Sequence, residues 1–250
     1  MTPSTPVTPP AHYEITRAQY VFSVVSIAAA AAGLAALAIR LALHGDVLRW
    51  WTPAALAAGF IAADLGSGLV HWAGDTWGRD DLPIVGPRLL VPFRVHHINP
   101  DDFLRRSFVD TNGDVAFLAV LVSLALLVFP LDGWWAGPAA VFGFAFSGLG
   151  MLTNQIHQWA HMPQPPRIVG WLQDTGAILG RAEHATHHDR PYDAHYCITT
   201  GWCNRPLEAM GFFRALETAI TRVTGARPRH DDDRYEERYG RRVPSLAAHD

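Results

Sequence analysis

The chain contains no lysine; all twenty of its basic residues are arginine. Charged residues of either sign make up only 17% of its 250 residues, against 49% apolar, so there is ample material for a large buried core. A formal net charge of -3 favours no polyanionic partner, and no nucleic-acid-binding motif occurs, so nucleic acid is excluded as a partner. Cysteine is nearly absent as well. Cys197 and Cys203 do not have metal-motif spacing, and on a cytoplasmic side, where disulfides are rare, they read as small buried hydrophobes. No Glu-x-x-His occurs, which removes the ligand set of the soluble di-iron bundles. The lack of lysine beside abundant alanine and arginine is the compositional habit of a GC-rich bacterial genome, and the bacterial inner membrane is the expected location.

The apolar residues gather in blocks. Residues 21–39 run without a charge, long enough to cross a hydrocarbon core of about 30 Å. Residues 53–70 carry one internal acid, Asp64, while 115–130 and 138–156 form a hairpin around Leu131-Asp-Gly-Trp-Trp-Ala-Gly137. Four buried helices of a soluble bundle are the competing reading. Against it, Trp50-Trp51 and Trp134-Trp135 fall where an interfacial aromatic belt would lie. Loops on the tryptophan side carry only Arg40 and Arg49, whereas Arg79, Arg88, Arg94, Arg105, Arg106 and the arginine-rich C-terminal third lie on the other, which the positive-inside rule makes cytoplasmic. The expected fold is therefore all-α and integral to the membrane, with four transmembrane helices and a cytoplasmic histidine-rich cap.

Residues 1–15, rich in Pro, Thr and Ser and lacking a basic start, read as a disordered leader rather than a secretory signal. Residues 16–225 form one membrane domain. A polar loop over 78–113, broken by Pro83, Pro87, Pro92 and Pro100, separates the second and third spans. Helices are expected from Trp171 to His188 and from Pro206 to about Thr224, followed by a charged, frayed tail over 226–250.

Four stretches place donors at intervals of three and four residues, which puts them on one helix face: His71 with Asp75, His96-His97, His157 with His161, and His184 with His187-His188. Eight imidazoles exceed what one metal needs. Zinc takes four ligands in all, and imidazole-rich sites with room for oxygen suit iron, so two iron ions are the natural reading. Neutral imidazole is available for coordination at physiological pH. His12, His44, His230 and His249 are isolated surface residues, and His195 is left outside the set. Asp64 lies two turns before His71, on nearly the same face. Acids within a span are usually functional, and Asp64 is placed here to fix the tautomer of a ligand histidine; snorkelling, or pairing with an arginine, is the plainer alternative. Gly66, Gly68, Gly143, Gly148 and Gly150 let helices approach closely or leave a slot for an acyl chain.

The wording of the motifs, Gly68-Leu-Val-His-Trp-Ala-Gly-Asp-Thr-Trp-Gly78, Phe93-Arg-Val-His-His-Ile-Asn-Pro100, Asp110-Thr-Asn-Gly-Asp114, His157-Gln-Trp-Ala-His161, His184-Ala-Thr-His-His188 and Tyr196-Cys-Ile-Thr-Thr-Gly-Trp202, resembles the plasmanylethanolamine desaturase family, of the Kua or CarF type and related to plant plastid trans-desaturases. The resemblance covers residues 55–215. It implies a membrane di-iron enzyme that uses dioxygen and two electrons from a cytochrome b5-like or ferredoxin partner to convert a 1-O-alkyl ether phospholipid into a 1-O-alk-1'-enyl vinyl ether. Its metal ligands map onto His71, His96, His97, His157, His161, His184, His187 and His188, with Asp75 alongside. Asn99 and Tyr192 depart from the pattern: members carry Asp, and some carry His, at those positions.

Hydrogen is expected to leave the carbon beside the ether oxygen and then its neighbour, because that oxygen stabilises an adjacent radical or cation. Asp75 and Asp64 are the candidate catalytic carboxylates. Arg94, Arg105 and Arg106 are the candidates for holding the lipid phosphate by charge-assisted hydrogen bonds. The alternatives are a desaturase or hydroxylase of phospholipid-linked acyl chains, a non-catalytic membrane metal-binding or signalling protein, and a zinc-dependent lipid hydrolase.

Overall fold

In a computed structural model, residues 15–44 and 49–240 are described, and among them every regular element is helical. The expected leader, apart from residue 15, and the last ten residues of the tail lie outside the described residues, as do His12 and His249. In chain order the helices are α1 (Arg17–Leu43), α2 (Thr52–Thr76), α3 (Val91–Ile98), α4 (Pro100–Leu104), α5 (Phe108–Val128) and α6 (Ala136–Gly150). They continue as α7 (Thr153–His161), α8 (Arg167–Asp174), α9 (Arg181–His187), α10 (Asn204–Ala209), α11 (Phe212–Thr224) and α12 (Asp232–Tyr239).

Four stretches are long and apolar enough to cross a membrane: α1, α2, α5, and α6 with α7 taken together from Ala136 to His161. The protein is a multi-pass membrane protein. Each helix begins before the apolar block that marks it, because helix ends are set by caps rather than by hydropathy. Thr16 opens α1 with a capping box, accepting the Gln19 amide at 3.2 Å while its own amide donates to Gln19 Oε1 at 2.8 Å. Ser107 opens α5 by accepting the Asp110 amide at 3.3 Å. The polar loop thus ends five residues before Asn112, and Asp110-Thr-Asn-Gly-Asp114 is helical.

The chain divides into two compact units, one of residues Ile15–Trp72 and Ser107–Arg214, the other of Ala73–Arg106 and residues from Ala215 onward. In the first, α1 and α5 meet along Ala30, Ala116 and Ala119, small residues that bring the two backbones close. Arg40 ties the same pair at its far end, donating to the Leu126 and Phe129 carbonyls, both at 2.6 Å. Gly143 packs on Leu126 and Gly68 on Cys197, so the packing reading holds there; Gly148 and Gly150 face open space. The helix expected from Trp171 to His188 is two helices, α8 and α9. They part at Gly176, whose φ of 69° is left-handed. Gly211, at φ 61°, likewise separates α10 from α11.

The second unit holds α3, α4, α12 and a five-residue π-helical stretch, Gly86–Leu90. The tail is not frayed through residue 239. The Arg229 amide donates to the Thr76 carbonyl at 3.0 Å, and α12 buries Tyr235 against Val95. The ring's hydroxyl also donates to Asp80 Oδ2 at 3.2 Å, and Arg234 pairs with the same carboxylate at 3.3 Å, so this charged helix is held by apolar and polar contacts together.

Candidate metal centre

The membrane unit gathers six of the eight predicted histidines. On α7, His157 and His161 stand one turn apart; on α9, His184 and the capping His188 repeat the spacing, and His187 lies beside them. His184 Nε2 sits 3.0 Å from His157 Nε2, 2.9 Å from His161 Nε2 and 3.1 Å from His188 Nε2, and the His157 and His161 Nε2 atoms are 3.3 Å apart. A metal holding imidazole at about 2.1 Å keeps its nitrogens about 3.0 Å apart at right angles and about 3.4 Å apart at the tetrahedral angle. The spacing observed is that of donors around one cation. Four neutral imidazoles meeting nitrogen to nitrogen have too few protons to bond one another all round, so the donor set fits a metal ion.

His71, on α2, forms a second group with His187, their ring centroids 4.4 Å apart and both side chains wholly buried. Each is steered from behind. His71 Nδ1 donates to the Tyr196 carbonyl at 3.2 Å and His187 Nδ1 to the Ala194 carbonyl at 2.7 Å. A ring that donates through Nδ1 presents a bare Nε2 lone pair, the tautomer a metal requires. Burial, then the nearby His71 and His188 rings, push the His187 pKa well below 6.5, so this imidazole is neutral at pH 7.

Both steering carbonyls belong to an irregular segment, residues 194–203, which the sequence reading mentions only as a motif. Four contacts pin it. Asn204 clasps Cys197, its Oδ1 accepting the amide at 2.8 Å and its Nδ2 donating to the carbonyl at 3.0 Å. Ser67 Oγ accepts the Ile198 amide at 3.0 Å, and the Thr199 and Thr153 hydroxyls meet at 2.7 Å. The fourth is Asp64. Its Oδ1 accepts the amides of Thr199, Thr200 and Gly201 at 3.2, 2.7 and 2.9 Å, and its Oδ2 accepts that of Cys203 at 2.9 Å. Asp64 therefore neither bonds a histidine, nor snorkels, nor pairs with an arginine. It is a positioning residue, because a buried carboxylate ringed by amides is satisfied without a counter-ion. Both cysteines are free thiols, and Cys197 is fully buried.

A second set of polar contacts holds α7. Asn112 Nδ2 donates to Gln155 Oε1 at 3.2 Å, Asn154 Nδ2 to the Thr111 carbonyl at 2.9 Å, and Gln155 Nε2 to Gln158 Oε1 at 3.1 Å. The Asp110–Asp114 motif thereby fixes the rotation of the helix that carries His157 and His161. Amides at such positions are the one signal in the sequence that could have exposed this contact, since polar groups in a span demand partners.

The other unit holds Asp75, His96 and His97. His97 Nε2 lies 3.5 Å from Asp75 Oδ2, both side chains nearly inaccessible. The His96 and His97 rings are 4.3 Å apart, and His96 Nδ1 is held by the Phe93 carbonyl, the same carbonyl steering seen at His71. Arg94 is buried, donating through Nε to the Gly74 carbonyl at 3.3 Å and through Nη2 to those of Trp77 and Gly78 at 2.7 and 2.9 Å. It caps the end of α2. Arg105 is exposed and reaches Asp102 at 2.9 Å, and Arg106 is half-buried. His195 contacts Glu183 Oε1 at 3.0 Å.

Residues 60–231 match the model of the lipid desaturase domain. A plasmanylethanolamine desaturase of Myxococcus xanthus is 43% identical over 187 residues, covering 73% of this chain and 65% of that protein. Plasmanylethanolamine desaturase 1 of Mus musculus is 43% identical over 189 residues, covering 73% of this chain and 70% of its own length. Fatty acid desaturase 4 of Arabidopsis thaliana, a chloroplastic protein, is 39% identical over 178 residues, which are 69% of this chain and 52% of that one. No solved structure matches.

Proposed function

Because the chain belongs to the lipid desaturase domain family, whose members act on membrane lipid, we propose that it removes two hydrogens from the 1-O-alkyl chain of an ethanolamine ether phospholipid, leaving a 1-O-alk-1'-enyl vinyl ether. The observation that carries this reading is the meeting of four Nε2 atoms from α7 and from α9 with its cap, with four of their mutual distances between 2.9 and 3.3 Å. The eight histidines named from the sequence hold two iron ions, with Asp75 alongside. Iron supplies the reduction of dioxygen to two waters, which takes two electrons and two protons from the C–H bonds of the lipid and two of each from outside. The outside electrons come from a cytochrome b5-like or ferredoxin donor. The site faces the cytoplasm from a bacterial inner membrane, as the arginine distribution favours.

The protein's own part is orientation. The Tyr196 and Ala194 carbonyls hold His71 and His187 in one tautomer, and Asp64 holds the segment that carries those carbonyls. Arg105 and Arg106 lie in the other unit and add positive charge suited to an anionic lipid surface. Expression in a cell that makes alkyl ether lipids but no vinyl ethers tests the reading. Acid treatment of the lipids should release long-chain aldehyde, and the His184→Ala variant should give none. Acyl-chain double bonds without aldehyde would assign the chain to acyl desaturation instead.

A further inference from the structure

We propose that a cavity on the membrane unit, bounded by α8, α9 and the start of α10, binds the phosphate and ammonium of a zwitterionic phospholipid headgroup; this rests on the reading above. The cavity has a volume of about 840 Å³, within the range of small-molecule sites. Its charged lining residues are Arg181 and Arg205 on one side of the ledger of charge and Asp174 and Glu183 on the other. Two positive and two negative groups complement a ligand that carries one charge of each sign and no net charge, whereas an anionic headgroup would leave the carboxylates opposed.

The four charges divide the work. Glu183 is committed within the protein, its Oε1 3.0 Å from His195 Nδ1 and its Oε2 3.6 Å from Arg205 Nη2, which leaves Asp174 as the carboxylate open to a ligand. Arg181 is steadied by one bond, from Nη1 to the Pro163 carbonyl at 3.0 Å, and is otherwise exposed. Together the two arginines offer phosphate the forked donors that it prefers. Asp174 is exposed and has no ion-pair partner among the described residues, which leaves its carboxylate for an ammonium. The rim is aromatic: Trp202 is 45% exposed while its Nε1 donates to the Gly176 carbonyl at 2.7 Å. A ring with its polar end bonded and its body exposed is the form tryptophan takes at a lipid boundary.

Chemistry also ties the cavity to the histidines. Only a few bonds separate the phosphate of a glycerophospholipid from the first carbons of its ether chain, so a headgroup site has to adjoin the reacting centre. α9 meets that demand by itself, presenting Arg181 and Glu183 to the cavity and His184 and His187 to the imidazole cluster.

The test is equilibrium binding of short-chain ether lipids to the purified full-length protein, loaded with iron and kept free of oxygen so that no turnover occurs. The phosphoethanolamine lipid should bind at least about tenfold more tightly than its phosphoglycerol counterpart. Arg181→Ala with Arg205→Ala should weaken both lipids by about tenfold or more, and Asp174→Arg should turn the preference toward phosphoglycerol, a reversal that misfolding cannot imitate. An unchanged preference in Asp174→Arg overturns the proposal, as does free phosphoethanolamine competing as well as the whole lipid. Aldehyde production is scored separately. Binding as described without aldehyde leaves the pocket standing and removes the vinyl-ether reading, while aldehyde with unaltered binding in all variants does the reverse.

Discussion

Asp64, midway along the second transmembrane helix, accepts the backbone amide of Thr200 at 2.7 Å, and through it grips the segment whose carbonyls orient two buried imidazoles. Three further amides share the carboxylate. A charged group in a span is costly unless it is satisfied, and here the satisfaction comes from peptide dipoles rather than from an ion pair.

Removing that carboxylate leaves four inward amides without an acceptor, each worth about 1–3 kcal/mol. Asp64→Ala should therefore lose several kcal/mol of stability, and Asp64→Asn, which keeps one acceptor oxygen, roughly half as much. Thermal unfolding in detergent measures this. Bound iron should fall in both, because His71 and His187 lose their fixed tautomers; iron held at the wild-type level in a destabilised Asp64→Asn would sever the link from Asp64 to the metal.

His184 has a different standing from its neighbours. Its Nε2 is within 3.1 Å of three other imidazole nitrogens, so His184→Ala should cost more iron than His161→Ala. Chelation of the wild-type protein should lower its unfolding temperature, since an ion present at a hundred times its dissociation constant contributes about 2.7 kcal/mol. Metal analysis alongside scanning calorimetry checks both. A chelated protein that melts as before would mean that the nitrogens do not share a cation.

What could be read in advance follows from periodicity. His157 with His161, and His184 with His188, are legible because a helix repeats every 3.6 residues, and the four apolar blocks because a bilayer demands length. Residues 194–203 have no period. The Tyr196 and Ala194 carbonyls act through the main chain, where side-chain identity says nothing, and so the sequence points Asp64 at a histidine while its partners are amides. Gly176 is visible in the sequence but does not by itself mark a break, because one glycine is tolerated in a helix unless the chain must turn there. Arg94 looked like its exposed neighbours; only the fold shows its guanidinium turned inward onto the end of α2.

Acid should loosen the chain after α11. Burial alone would raise the Asp231 carboxyl, but the hydrogen bond and charge of Arg229, at 2.6 Å, outweigh it and hold the pKa below its ordinary 3.8. A carboxylate depressed in the folded state contributes stability above pH 3.8 and loses it as pH falls through the folded value. Arg229 also donates from its amide to the Thr76 carbonyl, so protonating Asp231 weakens the hold on the end of α2. Limited proteolysis should cut near residues 225–240 faster below about pH 4 than at pH 6, and Arg229→Ala should show the fast rate at both. Equal rates for the wild-type protein across that range would show that the pair does not fasten this segment.

Arg94 separates two roles that arginines in such proteins can play. Three carbonyls at the end of α2, those of Gly74, Trp77 and Gly78, receive its guanidinium, and the side chain is 2% exposed. A lipid phosphate could reach it only by breaking those bonds. Arg94→Ala should therefore destabilise the protein by about 2–5 kcal/mol, as loss of a buried charged donor does. Arg94→Lys should recover little of this, because an ammonium cannot reproduce the planar fork. Arg105→Ala and Arg106→Ala should lower the unfolding temperature less than Arg94→Ala does, since the Arg105 side chain is half-exposed, though its partner Asp102 is buried, and Arg106 is half-buried, and their effect should appear in association with anionic lipid surfaces. The opposite pattern, with Arg94→Ala stable but deficient in lipid binding, would return Arg94 to the substrate and leave the α2 carbonyls to be satisfied by other donors.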